Sequence, residues 1–216
     1  MRVPLIRGII FDHDGTLVDS LPVVVAATNA VLRQHGFPEH PAQEIVAAMV
    51  LPTIPRMLSH TGRTDPVLGG QLAQDFYREA NRLPHLACVY PGVPEALADL
   101  ARRGTRMGMV SNNQGAFIRV VGSRLGLLQY LPIVLGEEDM PQPKPDPRGL
   151  LQAAAGLGLA PSECLFVGDS PFDAQAATAA GMRPVGCTWG IHPRAEMDAM
   201  GFAVLIDHPR ELLGLG

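Results

Sequence analysis

Ile6-Arg7-Gly8-Ile9-Ile10-Phe11-Asp12-His13-Asp14-Gly15-Thr16-Leu17-Val18-Asp19-Ser20 is the stretch that decides the fold. An apolar run, Ile9 to Phe11, delivers two carboxylates two residues apart, and a Gly-Thr turn follows at once. In a strand, residues i and i+2 point the same way. Asp12 and Asp14 are therefore expected side by side at the strand's carboxyl end. His13 is expected to point away from both. Two like charges so close repel unless a cation or a shared proton relieves them. A buried strand ending in such a pair is costly for stability alone. It makes sense as a place where Mg²⁺ and an anionic substrate meet.

The rest of the chain falls into two rhythms. Residues 5–11 read as a buried strand. After it, Leu21, Val24, Val25, Thr28, Val31 and Leu32 recur at helical spacing, and Gly36 supplies a stop. Residues 41–50, 52–61 and 65–83 also read as helices. The interval 20–88 is thus a run of helices, far longer than the single helix that usually joins parallel strands. It is read as an inserted helical cap, with 1–19 and 89–216 forming the core. From Tyr90 onward, strands are expected at 106–110, 132–135, 164–167, 184–187 and 203–206. Helices alternate with them at 93–103, 115–125 and 148–158, and from Ser170 to Ala180. This pattern predicts an α/β fold, a Rossmann-like parallel sheet with helices on both faces, plus the α-helical cap.

Composition narrows the function classes. At 216 residues the chain can bury a sizeable core, and 47 % apolar against 18 % charged residues excludes a disordered chain. A net charge of −4 argues against an extended nucleic-acid surface. No apolar run reaches the ~18 residues of a membrane span. No small-residue cleavage site follows the N-terminal basic residues, so a signal peptide is not expected. Cys88, Cys164 and Cys187 are far apart and read as small buried hydrophobes in a reducing cytoplasm. Monomer and homodimer are both compatible with the sequence. Of the 17 basic residues, 16 are Arg, and the one Lys is Lys144. Arg is a rigid fork, whereas Lys is a compact point charge suited to one oxygen of a reacting phosphoryl group.

Four segments fall at the carboxyl ends of expected strands, the edge at which open α/β sheets bind ligands. They are Asp12/Asp14, Ser111-Asn112, Lys144 and Asp169/Asp173. Read singly, each has an ordinary structural explanation: a turn, a helix cap, a loop lysine, an acidic first helical turn. Together they offer four carboxylates, a hydroxyl, an amide and one cation. Carboxylates that can hold a divalent metal, beside a cation, suit a phosphate group.

In their order and spacing these segments resemble the haloacid dehalogenase superfamily, specifically its phosphoglycolate phosphatase-like members with a helical cap. The Asp-x-Asp-Gly-Thr motif stands as Asp12-His13-Asp14-Gly15-Thr16, the strand-terminal Ser as Ser111, and the Lys-Pro pair as Lys144-Pro145. Gly168-Asp169-Ser170-Pro171-Phe172-Asp173 matches the last motif. The resemblance implies a Mg²⁺-dependent phosphatase acting on a small phosphorylated metabolite, with no nucleic acid or membrane partner. Asp12 would be the nucleophile that forms an aspartyl-phosphate, and Asp14 the general acid and base. Asp12, Asp169 and the backbone carbonyl of Asp14 would hold the metal. Ser111, Asn112, Lys144 and the Gly15-Thr16 turn would hold the phosphoryl oxygens, and Asp173 would steady Lys144 or a metal-bound water.

Two departures stand out. His13 occupies a position where an apolar residue is commoner, and Asn113-Gln114 follows where many phosphoglycolate phosphatases carry a Lys. In the cap, Arg56 is either a contact for a substrate anion or a solvated surface cation. Met107, Met109 and Trp189-Gly190 read as core and turn. Two other functions fit the same residues: a sugar-phosphate mutase of this fold, and a non-catalytic phospho-acceptor module. A dehalogenase fits less well, because that branch does not keep the Asp14 carboxylate.

Overall fold

The computed structural model describes residues 5–215, and the contacts within it cluster into two compact units. One unit takes the chain up to Asp19 and from Cys88 onward; the other is Ser20–Ala87.

The first unit is built on β1 (Gly8–Phe11), β4 (Arg106–Val110), β5 (Ile133–Leu135), β6 (Cys164–Gly168), β7 (Arg183–Cys187) and β8 (Val204–Ile206). These six strands pair in parallel in the order β5-β4-β1-β6-β7-β8. Strands buried on both faces read as continuous apolar runs, and Ile9, Ile10 and Phe11 are all at most 2 % exposed. Ile10, Val110 and Phe166 pack with Leu150, Ala153, Ala176 and Ala177 of α7 (Arg148–Gly156) and α8 (Pro171–Ala180). Phe11 and Val167 line a small internal void with Val93, Ala96 and Leu97 of α5 (Val93–Arg102). Helix α6 (Gly115–Arg124) follows β4, and the short α9 (Arg194–Met197) follows β7.

The order of the strands fixes where chemistry can occur. From β1 the sheet grows through β4 to β5 on one side, then returns to β6 on the other and grows outward to β8. The connections reverse between β1 and β6, and a crevice opens at the strands' carboxyl ends at such a point. Phe11 is in register with Met109 on one side and Val167 on the other. The residues just beyond these three therefore emerge on one edge.

A pair of two-residue strands was not legible in the sequence. β2 (Val18–Asp19) and β3 (Cys88–Val89) pair antiparallel where the chain leaves and re-enters this unit. The ribbon corrects one expectation: Cys88 is exposed, whereas Cys164 and Cys187 are buried as read.

The second unit is helical, with α1 (Leu21–Gln34), α2 (Ala42–Ala47), α3 (Thr53–Ser59) and α4 (Pro66–Ala80). Val31, Leu32, Ile45, Met57 and Leu72 are fully buried and form its core. Asp65 caps α4 by accepting from the Val67 N–H at 2.9 Å. Among the described residues, no helix is long and apolar enough to cross a membrane.

Candidate active site

Lys144 is the centre of the edge. Its side chain is 2 % exposed, and Nζ lies 2.8 Å from Asp12 Oδ1, 2.7 Å from Asp173 Oδ1 and 3.3 Å from the Val110 carbonyl. Val110 O and Asp173 Oδ1 accept hydrogen bonds from the ammonium, and Asp12 Oδ1 faces it as an ion pair without an aligned bond. The ammonium also stands 5.2 Å from the centre of the Phe166 ring. Burial alone pulls a lysine's pKa down, but the carboxylates of Asp12 and Asp173 outweigh it and hold Lys144 above its ordinary value. The loop that carries Lys144 is fixed by Asn112. Its amide donates to the Lys144 carbonyl at 3.0 Å and accepts from the Lys144 N–H at 2.7 Å.

Asp12 continues the β1 pairing, with its N–H donating to Val167 O at 2.8 Å. Its carboxyl is pushed up to about 7, chiefly by burial and further by Asp173 and Asp14, while Lys144 pulls the other way. Asp169, 3 % exposed, is likewise pushed well above the usual range by burial and by Asp173 and Asp12. One of its oxygens, Oδ2, accepts from the Ile191 N–H at 3.1 Å.

Carboxyl groups of Asp12, Asp169 and Asp173 each offer an oxygen within 4.8 Å of one another. They are not equivalent. Besides Lys144, Asp173 accepts at Oδ2 from Ser170 Oγ (2.6 Å), Ser170 N–H (3.0 Å) and Asp169 N–H (3.2 Å). It closes the first turn of α8 as a capping box and anchors the ammonium. Asp12 and Asp169 have raised pKa values because of burial first, with neighbouring carboxylates adding to it. A hard divalent cation with oxygen ligands is the group such a pair fits. Glycines let the chain pack directly against the Asp169 carboxyl: a Cβ at Gly15 (φ +74°) or at Gly190 would collide with it.

Asp14 goes elsewhere. Its Oδ2 accepts from Asn113 Nδ2 at 3.0 Å, and its Oδ1 lies 3.1 Å from His13 Nδ1. The expectation that His13 points away from Asp14 is thereby corrected. The strand ends at Phe11, so residues 12–14 follow a bend and not a strand's alternation.

Other expected residues are placed differently from the sequence reading. The Gly15 N–H donates to Val18 O at 2.9 Å and closes the turn rather than pointing at a ligand. Thr16 is 1 % exposed, its Oγ1 is 3.6 Å from the Cys187 thiol, and its carbonyl accepts from Trp189 Nε1 at 2.9 Å. The Asn112 side chain serves Lys144 rather than a phosphate. Ser111 is 1 % exposed and its Oγ accepts from the Asn113 N–H at 3.1 Å. In the helical unit Arg56 is 7 % exposed with its guanidinium 4.6 Å from the centre of the Phe76 ring, which corrects the reading of a solvated cation. Asn113, His13 and the Ile191 N–H were not singled out as site groups. Only the two departures at His13 and Asn113 signalled them, because a backbone donor such as Ile191 leaves no mark in sequence.

A family model described as haloacid dehalogenase-like hydrolase matches residues 9–187. The chain is 33 % identical over 216 residues to a phosphoglycolate phosphatase of Pseudomonas putida, covering 96 % of this chain and 78 % of that one. It is 32 % identical over 222 residues to an N-acetylmuramic acid 6-phosphate phosphatase of Pseudomonas aeruginosa, covering 99 % of this chain and 96 % of that one. Among solved structures, a predicted phosphoglycolate phosphatase from Haemophilus somnus superposes with a TM-score of 0.87 at 25 % identity over 97 % of each chain. The family match spans β1 to β7 and takes in every segment of the carboxyl-end cluster; the chain belongs to the haloacid dehalogenase-like hydrolase family.

Proposed function

We infer that this protein is a phosphatase that hydrolyses a small, phosphoglycolate-like phosphate monoester through a phosphorylated Asp12. The observation that carries the reading is the division of labour among the acids. Asp12 is ion-paired with Lys144, Asp173 is saturated as the lysine's anchor, and Asp14 is turned toward Asn113 and His13.

Each group then has one task. An Asp12 oxygen attacks phosphorus while the bond from phosphorus to the substrate oxygen breaks. Asp14, in its carboxylic acid form, gives its proton to the departing oxygen. The resulting Asp14 carboxylate takes a proton from water, the water oxygen attacks phosphorus, and the bond to Asp12 breaks. Inorganic phosphate leaves, and Asp12 is again a carboxylate. Ser111 and Lys144 would meet the transferring group as hydroxyl and cation. Asp12 and Asp169, with the Asp14 carbonyl, are the residues that would hold Mg²⁺. When bound, Mg²⁺ supplies positive charge that keeps Asp12 ionised and offsets charge on the phosphoryl oxygens.

Both named relatives act, by their names, on phosphate monoesters whose organic part carries a carboxylate. A turnover panel therefore begins with phosphoglycolate and N-acetylmuramic acid 6-phosphate, and adds sugar phosphates and p-nitrophenyl phosphate. The expected result is Mg²⁺-dependent phosphate release from at least one ester, abolished by Asp12→Asn. Full turnover by Asp12→Asn would refute the reading. An isomeric sugar phosphate formed without free phosphate would replace it with a mutase.

A further inference from the structure

Among the described residues, His13 is a fully buried polar side chain, 0 % exposed, with both ring nitrogens left without an aligned hydrogen-bond partner. Its ring meets Phe117 edge-on, with centroids 6.1 Å apart. A buried imidazole with unmade hydrogen bonds destabilises a fold, and an apolar side chain in the same slot would not. Asp14 Oδ1 lies 3.1 Å from Nδ1 but off the line that a hydrogen bond needs. On the other side of the same carboxyl, Asn113 Nδ2 donates to Oδ2 at 3.0 Å. The Asp14 side chain itself is 22 % exposed, so it can meet a substrate between these two neighbours.

We propose that His13 and Asn113 are a pair of positioning residues that hold the two oxygens of Asp14 in line for proton transfer. This rests on the phosphatase reading, in which Asp14 protonates the leaving group. Asn113 holds one oxygen in the resting protein. His13 engages the other when substrate draws the carboxyl into place, in the way that catalytic hydrogen bonds align only in the complex. Asn113 is itself fixed: its N–H donates to Ser111 Oγ at 3.1 Å, and its Oδ1 accepts from the Gln114 N–H at 2.8 Å. A carboxyl held at both ends is confined to one plane, which is the geometric condition for delivering a proton to a single departing oxygen.

Leaving groups separate this role from a structural one. An alkyl phosphate expels a strongly basic alkoxide and needs the proton. p-Nitrophenyl phosphate expels a weakly basic phenolate and needs it little. kcat/KM is measured with Mg²⁺ for phosphoglycolate, or the best alkyl ester of the panel, and for p-nitrophenyl phosphate. The proteins are the wild type, His13→Leu, Asn113→Ala and the double variant. General acid catalysis contributes on the order of 10²–10⁴-fold, so each single change is expected to lower the alkyl value about tenfold or more and the aryl value less than about threefold. The double variant should fall by less than the product of the two, because both act through one carboxyl. His13→Leu should melt no lower than the wild type, since it removes an unpaired buried polar group, and His13→Gln, which keeps a donor, should recover part of the alkyl activity. Parallel loss on both esters, or no loss on either, would overturn the proposal. Absence of turnover by the wild-type protein on any ester would overturn the phosphatase reading itself, and is read before any variant.

Discussion

Replacing Lys144 by Met removes the charge and keeps most of the volume. Asp12 and Asp173 then lose a shared ammonium at 2.8 and 2.7 Å, and the Val110 carbonyl loses a donor at 3.3 Å. Breaking a buried ion pair by deleting one partner costs about 3–5 kcal/mol, because the survivor stays buried without compensation. For a chain of this size that is a fall in Tm of about 6–20 °C. The sign with pH follows from Asp12. Its folded pKa of about 7 already exceeds its unfolded value, so the folded state binds the extra proton and stability declines as pH climbs through this window. Without Lys144 the folded pKa rises further, and the variant goes on losing stability above about pH 7, where the wild type has levelled off. Urea or thermal melts with chelator present, at about pH 6 and about pH 8.5, should therefore show the larger deficit at the higher pH. A deficit below about 1 kcal/mol at the higher pH, or one equal at both, would refute the buried ion-pair account.

Three further outcomes follow from the same geometry. Added Mg²⁺ should raise the wild-type Tm in a concentration-dependent way, as binding to the folded state alone requires. Asp169→Asn should lose that response, and Asp19→Asn should keep it. Asn112→Ala removes two hydrogen bonds to the Lys144 backbone, so phosphate release should fall at least tenfold while the fold loses about 1–3 kcal/mol by chemical denaturation. His40 donates to two acceptors, Glu44 Oε2 at 2.8 Å and the His60 carbonyl at 2.9 Å, and its pKa is raised, first by the Glu44 hydrogen bond. Its contribution to the helical unit is fully present below the ordinary histidine pKa and is lost as pH rises through the higher folded value. An NMR titration should place His40 above an ordinary histidine, and Glu44→Gln should bring it down.

The legible part of the molecule was the part written in periodicity and in side-chain type. Ile9-Ile10-Phe11 mark a buried strand, the spacing of Val24, Val31 and Leu32 marks α1, and a solitary lysine among sixteen arginines singles out Lys144 as a cation of the candidate site. Short elements were not legible: the two-residue ribbon of Val18–Asp19 with Cys88–Val89 has no room for a period, and its exposure of Cys88 could not be read. The local bonds of Gly15 and Asn112 are not legible for another reason. A polar group near a site can serve a ligand or the chain that carries the site, and only the partner decides. Here the Gly15 N–H closes its own turn and the Asn112 amide holds Lys144. Arg56 shows the same limit for a charge: sequence leaves open a substrate anion or solvent, and the structure buries it against Phe76.

In the proposed cycle Asp12 carries the phosphoryl group. This is tested most directly by mixing enzyme with excess p-nitrophenyl phosphate and Mg²⁺, quenching in acid within milliseconds to seconds, and mapping phosphorylated peptides. One acid-stable, hydroxylamine-labile phosphoryl group on Asp12 is expected, formed in a burst that precedes steady phosphate release. A full burst with the label on another residue, or steady turnover with Asp12 never labelled even when Asp14→Asn slows the second step, would contradict it.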